Sequence, residues 1–386
     1  MSTTVESAGG APQPLPCYEH QVAGRLPMLR LSADKICKPA VDAEIAVYEA
    51  LASRESPVTQ FTPRWYGFIT IPIRELAVSF RQGGVGGGCA GGSRPAREDS
   101  ESSAASGAAL PVGPESVAES GSDGSLAFPQ MPRVPSGGTV GTAGSAEGSE
   151  PVSPWADSVF SNYRHKRLQV SGDGNCRFIV LEDVSARFRC PCILDIKMGT
   201  RQHGYNAPPR KVRSKTTRCL ETTSASLGLR VCGLQAYQTT TGQYVRKDKY
   251  WGRSLTKDTI GNAFSLFLHN GERVRSEVAR AMVPRLEQLA ESIRETNWRY
   301  WSSSILLVFE GDDLRRAPST TSHSASHGRD SIERAPEATE LVATAEDFDV
   351  RLIDFAHLYR SSGLAGPDEG MLMGIKNIVS LLAACS

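Results

Sequence analysis

Apolar residues recur along this chain with two periods, and the change from one to the other marks out its elements. Short runs rich in β-branched and aromatic residues at 28–30, 35–37, 177–181, 190–196, 229–237, 305–309 and 350–353 predict strands. Spacings of three and four predict helices instead. They place one helix over 41–51, where Ile45, Tyr48 and Leu51 share a face, and another over 259–269. A long helix at 273–296 carries Val274, Val278, Met282, Leu286, Leu289 and Ile293, with Pro284 expected to kink or split it. The last covers 370–384, with Leu372, Ile375, Ile378, Val379 and Leu382. Strands dominate the early part and helices join later, so the expected fold is α+β: a smaller β-rich lobe, a larger α+β lobe and a cleft between them.

Two stretches show neither period. From 81 to 157 the chain is Gly, Ser, Ala, Pro and Glu, and 312–346 is similar around Ser319, Ser322 and Ser324. Too few large apolar side chains are present to offset the entropy of ordering, so both are expected to be disordered inserts. The predicted N-terminal lobe then consists of 16–80 and 158–185, the second part ending in a hinge. The C-terminal lobe is 186–386, with 312–346 as a surface loop.

Charge narrows the partners. Lys and Arg number 43 against 42 acidic residues in 386. This balance gives no reason to expect nucleic acid or attachment to an anionic membrane, so any anion site must be local. Nine cysteines contain no C-x-x-C pair, and an odd number suits reduced thiols in a cytoplasmic or nuclear setting, with no zinc expected at Cys190 and Cys192. No apolar run approaches the roughly 20 residues that span a bilayer, so no membrane insertion is expected.

The candidate chemistry begins at Pro191-x-x-x-Asp195-x-Lys197-x-Gly199, where Asp195 and Lys197 lie two apart in a strand and project from one face. Arg201, His203, Arg210, Lys211, Arg213, Lys215 and Arg218 follow, with no acidic residue until Glu221. Alone, such a run also describes a solvated surface or a localisation signal. Placed after a buried strand, its cations can pair with a multiply phosphorylated small molecule. Asp354 ends the apolar run Val350-Arg-Leu-Ile, where a carboxylate can hold Mg²⁺, although a lone Asp after a strand is also a common turn or cap. Lys38 at a strand end and Glu44 in the next helix match the lysine–glutamate pair by which kinases orient ATP phosphates. The run Phe178 to Val184, with Glu182, can supply an adenine-binding connection. No G-x-x-x-x-G-K-[ST] loop is present, which excludes a P-loop enzyme.

The Pro191-x-x-x-Asp195-x-Lys197-x-Gly199 motif resembles the signature of the inositol polyphosphate kinase family, and Thr200-Arg-Gln-His-Gly204 resembles its hexakisphosphate kinase branch. His20-Gln-Val, Cys37-Lys-Pro39, Phe61-Thr-Pro63, Leu229 to Gln235, Lys247-Asp-Lys-Tyr250, Ser303 to Leu307, Ile353-Asp-Phe-Ala-His357 and Gly366-Pro-Asp368 agree in order. The resemblance covers 16–67 and 175–382, apart from the inserts. It implies a two-lobed fold distantly like that of protein kinases, with ATP and Mg²⁺ in the interlobe cleft and an inositol phosphate as acceptor. Carried across, Lys38 contacts ATP phosphates, Glu44 supports it, Glu182 and Val184 face adenine, and Asp195 holds the ribose. Asp354 binds Mg²⁺, and Lys197 lies between donor and acceptor phosphates. Arg201, His203, Lys211, Arg213, Lys215 and Arg218 are the candidates for substrate phosphates. The chain departs from the branch at Tyr205, where Asp is common, and at Leu358, where Thr is common. Two rival readings remain: a trisphosphate 3-kinase or multikinase that phosphorylates a hydroxyl, and a non-catalytic scaffold that binds inositol phosphates.

Overall fold

The computed structural model describes residues 15–24, 26–53, 56–82, 174–312, 343–344, 346–360 and 366–386. The expected inserts at 81–157 and 312–346 lie, apart from their ends, outside the described residues, as does 158–173.

Alternating burial builds the first sheet. Strands β1 (Leu29–Arg30), β2 (Lys35–Pro39), β3 (Trp65–Pro72) and β4 (Asn175–Glu182) pair antiparallel in the order β1-β2-β4-β3. Successive residues of β4 serve opposite faces. Phe178 and Val180 join a small core with Leu29, Cys37, Ile71 and Leu76, whereas Ile179 and Leu181 join the main core. Helices α1 (Asp42–Ser53) and α2 (Ile73–Gln82) follow β2 and β3.

The second sheet is antiparallel in the order β10-β9-β5-β6-β7. Its members are β5 (Pro191–Met198), β6 (Leu229–Gln238), β7 (Gln243–Lys247), β9 (Ser304–Glu310) and β10 (Phe348–Ile353). Central β5 is buried along its length except for a half-buried Lys197, which explains why it reads as a continuous apolar run. A register shift between Asp195 and Ile196 leaves Cys232 as an extra residue on β6. Such a bulge redirects nearby side chains, and this one falls between the two candidate residues Asp195 and Lys197. A two-stranded ribbon joins β8 (Trp298–Arg299) to β11 (Tyr359–Arg360).

Helices α3 (Pro209–Leu220), α4 (Thr223–Leu227), α5 (Lys249–Ser254), α6 (Gly261–Leu268), α7 (Ser276–Arg294) and α8 (Glu369–Ala383) complete the larger lobe. Phe264, Phe267, Val278, Met282, Leu286, Met371, Ile375 and Ile378 from α6, α7 and α8 lie in the main core with β5, β6 and β9. The fold is thus α+β and two-lobed. No described helix is long and apolar enough to cross a membrane.

Two local expectations change. Helix α7 runs through Pro284 as one element. Pro284 and Arg280 are both exposed, so the missing Pro284 N–H falls on the solvent side of the helix. Strands β3, β7, β8 and β11 and helices α2 to α5 are absent from the periodic reading. Gly67 sits at φ +104° beside a register shift and Pro72 closes β3, so its pattern is broken. Helix α3 has Cys219 as its one buried side chain, leaving too little apolar signal to see.

Helix α8 crosses α4 at a glycine contact. A Cβ on Gly374 would lie 2.3 Å from the Gly228 carbonyl oxygen and 2.6 Å from Met198 Cε. Ala in a helix gains up to about 1 kcal/mol over Gly. Overpacking against immovable backbone costs about 1–3 kcal/mol. The clash should win, so Gly374→Ala should melt at a lower temperature than wild type; an unchanged or higher midpoint would refute this packing.

Candidate active site

Four elements converge on one carboxylate. Lys38 leaves β2 and its Nζ donates to Glu44 Oε1 at 2.8 Å and to Asp354 Oδ1 at 2.6 Å. Lys197 leaves β5 and its Nζ donates to Asp354 Oδ2 at 3.2 Å and to the Ser302 carbonyl at 2.6 Å. Glu44, buried in the first turn of α1, also accepts from the Phe355 N–H at 3.3 Å. One helix terminus thereby braces both the lysine and the chain beyond β10, at the helix end where negative charge is favourable. The sequence reading pairs Lys38 with Glu44 and treats Asp354 separately, and the fold brings all three together.

Burial works to raise the Asp354 carboxyl, but the Lys38 and Lys197 charges overcome it and hold the group well below the usual carboxylate range. Both lysines are displaced the other way: burial opposes their charge, and Asp354 outweighs it. Asp195 differs. Burial pushes it up to about 6, partly offset by Lys197 and reinforced by Asp354, and its Oδ1 has no hydrogen-bond partner among the described residues. An unsatisfied buried acceptor beside an open cleft is suited to a ligand donor.

These groups line a cavity of about 340 Å³, within the range of small-molecule sites. Ile36, Leu181, Val184, Ile193, Leu306 and Ile353 form apolar walls at its hinge end. Glu182 lines the same end, and its carboxylate is held by the Arg64 N–H at 2.9 Å and Arg351 at 3.4 Å. The next residue, Asp183, accepts from the Tyr18 hydroxyl at 2.8 Å. Tyr18 and residues 20–24, with Leu26 and Met28, thus form a further wall that sequence reasoning missed. His20 meets Gln235 at 3.0 Å, and the Val22 carbonyl lies where a Cβ on Gly233 would come within 2.0 Å. Gly233 is therefore required for that approach.

Besides Lys38 and Lys197, five cations line the cavity: Lys215 and Arg218 of α3, Arg230 of β6, and Lys249 and Arg253 of α5. None of Arg218, Arg230, Lys249 and Arg253 pairs with a carboxylate among the described residues. Burial and the neighbouring Arg218 and Arg230 charges hold the Arg253 guanidinium below its ordinary value. Converging like charges lower one another's stability until an anion neutralises them. Gly252 permits the approach, since a Cβ there would lie 2.1 Å from the Val231 carbonyl. Sequence reasoning did not assign Arg230, Lys249 or Arg253. The i,i+4 spacing of Lys249 and Arg253 was visible, but only the docking of α5 on β6 aims them inward.

The other basic candidates lie elsewhere. Lys211 and Arg213 are exposed on α3 and do not line the cavity, because the helix turns Lys215 and Arg218 inward instead. The Arg201 guanidinium carbon lies over the Trp301 ring, 3.6 Å from its centroid, and His203 Nδ1 contacts the Gly204 carbonyl at 3.2 Å. Neither lines the cavity.

The family model described as inositol polyphosphate kinase matches residues 178–383. Inositol hexakisphosphate kinase 3 from Mus musculus is 33% identical, covering 97% of this chain and 95% of that protein. The Homo sapiens protein of the same description is 28% identical, covering 95% and 93%. Among solved structures, an inositol phosphate multikinase from S. cerevisiae, in complex with ADP and Mn²⁺, is 24% identical with a TM-score of 0.45, covering 56% of this chain and 86% of that one.

The Asp195 carboxyl gives the site a measurable titration. Unfolding returns it from about 6 to its ordinary 3.8. The folded protein therefore keeps this proton longer, and stability falls as pH rises from about 4 to about 6, by about 3 kcal/mol at most. Asp195→Asn should remove that window from thermal melts recorded against pH, and Asp354→Asn should lower the Asp195 midpoint in a carboxyl NMR titration. A midpoint near 4 in the wild-type protein would contradict the burial described.

Proposed function

Because the chain belongs to the inositol polyphosphate kinase family, we propose that it transfers the γ-phosphoryl group of ATP to inositol hexakisphosphate, making a diphosphoinositol polyphosphate. The observation that carries this reading is a cleft in which Lys38, Lys197 and Asp354 meet beside five converging cations.

The apolar hinge end suits a flat base, with Glu182 and Val184 beside it. Asp195, with its unsatisfied Oδ1, is placed to accept from ribose hydroxyls. Lys38, braced by Glu44, offers its ammonium to the phosphate chain. For magnesium the donor chemistry fits: Asp354 presents a carboxylate, the hard oxygen ligand this ion takes, and such sites are completed by substrate phosphates. When bound, the ion neutralises charge on the β- and γ-phosphates. Lys197 lies between Asp354 and the Cys232–Arg230 edge of β6, so its charge sits where transferred and accepting phosphates would meet. Fixed positive charge there favours the more charged transition state. Lys215, Arg218, Arg230, Lys249 and Arg253 fix the acceptor through its phosphates. A phosphate acceptor is already ionised near neutral pH, so positioning rather than a strong base performs the chemistry.

The five-cation cluster favours a highly phosphorylated acceptor over a trisphosphate, and the likeness to named hexakisphosphate kinases over nearly the whole chain points the same way. Purified protein with Mg-ATP should convert inositol hexakisphosphate to a diphosphoinositol product on gel or chromatographic analysis. A new phosphate on inositol trisphosphate and none on the hexakisphosphate would assign the sister activity. Lys197→Ala should lower kcat by about 10²–10³-fold with hexakisphosphate binding retained. If ligand bound normally to the wild-type protein and neither acceptor gained phosphate, the scaffold reading would stand in its place.

A further inference from the structure

Among the described residues, two non-glycine positions have positive φ: Ser302 at 64° and Asp354 at 67°. Both serve the same side chain, since the Ser302 carbonyl and the Asp354 carboxylate are the acceptors of the Lys197 ammonium. Left-handed backbone at such residues persists only where the surroundings hold it. The Ser303 hydroxyl donates to the Asp354 carbonyl at 3.2 Å, so the two segments are tied to each other. Backbone bonds such as the Met198 N–H to the Ser303 carbonyl at 2.9 Å anchor them, and an aromatic stack packs beside them.

Trp301 precedes Ser302, and Tyr359 follows Asp354 by one turn in which the Leu358 N–H donates to the Phe355 carbonyl at 3.0 Å. The rings of Trp301 and Tyr359 are parallel within 3°, with centroids 5.7 Å apart. Tyr205, from the loop after β5, lies parallel to Tyr359 within 3° at 4.7 Å. Arg201, at the start of that loop, stacks on Trp301 and its Nε donates to the His203 carbonyl at 3.3 Å. Gly204 lies so close to His357 that a Cβ would stand 3.1 Å from its Nδ1. The loop after β5 is thus fastened at both ends to the two segments that hold the strained residues.

We propose that Tyr205 is a positioning residue: by stacking on Tyr359 it closes a clamp of three rings and one guanidinium that keeps Ser302 and Asp354 in the conformations that aim Lys197. The proposal rests on the kinase reading for its catalytic consequence. Single exposed aromatic residues are ordinary on protein surfaces. Tyr205 differs in being 61% exposed yet parallel to the half-buried Tyr359, itself parallel to the buried Trp301, so its ring is committed to one face. Because it is the outermost ring, its removal leaves a solvent-filled notch rather than a core cavity.

Full-length wild type, Tyr205→Ala and Tyr205→Phe should be compared in kcat, in KM for ATP, in melting temperature and in amide hydrogen exchange. Tyr205→Ala should lose roughly ten- to hundredfold in kcat, since small misplacements of reacting groups carry that cost, with KM for ATP and the melting temperature little changed. Exchange should accelerate at the Ser303 and Leu358 amides and not within α7. Tyr205→Phe, which keeps the ring, should behave as wild type. Wild-type kcat together with unchanged exchange in Tyr205→Ala overturns the proposal, and so does a Phe variant as impaired as the Ala variant. Should the wild-type protein phosphorylate no inositol phosphate, the kinase reading falls, and the exchange rates then judge the clamp: accelerated rates support it and unchanged rates overturn it.

Discussion

One carboxylate between two ammonium groups organises the cleft. Asp354 joins a lysine from the first sheet to a lysine from the second, residues 316 positions apart in the case of Lys38. The half-buried lysines depend on their acceptors, Asp354 and Glu44 for Lys38 and Asp354 and the Ser302 carbonyl for Lys197, because an unpaired buried charge is strongly penalised. Asp354, whose backbone is held in a left-handed turn, depends on both lysines in return. Attraction among the three sets where the strand ends of two separate sheets must stop.

Around that centre, charge is distributed unevenly. Toward the hinge the walls are mostly apolar, with Glu182 held by Arg64 and Arg351, and Asp195 is pushed up to about 6 by burial. Toward α3 and α5 the walls are cationic, and nearly all of those cations lack a carboxylate partner among the described residues. A chain with almost balanced totals has therefore concentrated one sign of charge in one place. Backbone approach makes this possible: Gly252 and Gly233 let α5 and the segment at Val22 press on β6 more closely than any side chain would allow.

Much of this was legible in the sequence. The spacing of Asp195 and Lys197 puts both on one face of a strand, and the apolar runs around Phe178 and Leu307 locate the strands that flank them. Lys38, Glu44 and Asp354 were visible as strand-end and helix-start residues, although nothing local says that they meet. The less legible features depend on contacts between distant segments. Helix α3 shows too little apolar periodicity to phase its cations, so Lys211 and Arg213 look equivalent to Lys215 and Arg218 until the helix is seen docked. Arg201 reads as a phosphate ligand because it is charged, whereas its flat guanidinium is spent on the Trp301 ring. Tyr205 could be noticed only as a departure from a pattern, since stacking on Tyr359 leaves no periodic trace.

The doubly paired carboxylate also couples two kinds of ligand. A dication taking Asp354 would remove one of the two counter-charges of Lys38 and the carboxylate partner of Lys197, leaving both more attractive to anions. An anion that takes the lysines leaves Asp354 equally exposed to cations. Each arrival therefore strengthens the other by the same factor, as thermodynamic reciprocity demands. A cleft arranged this way discriminates against either visitor alone and favours metal and polyphosphate as a pair.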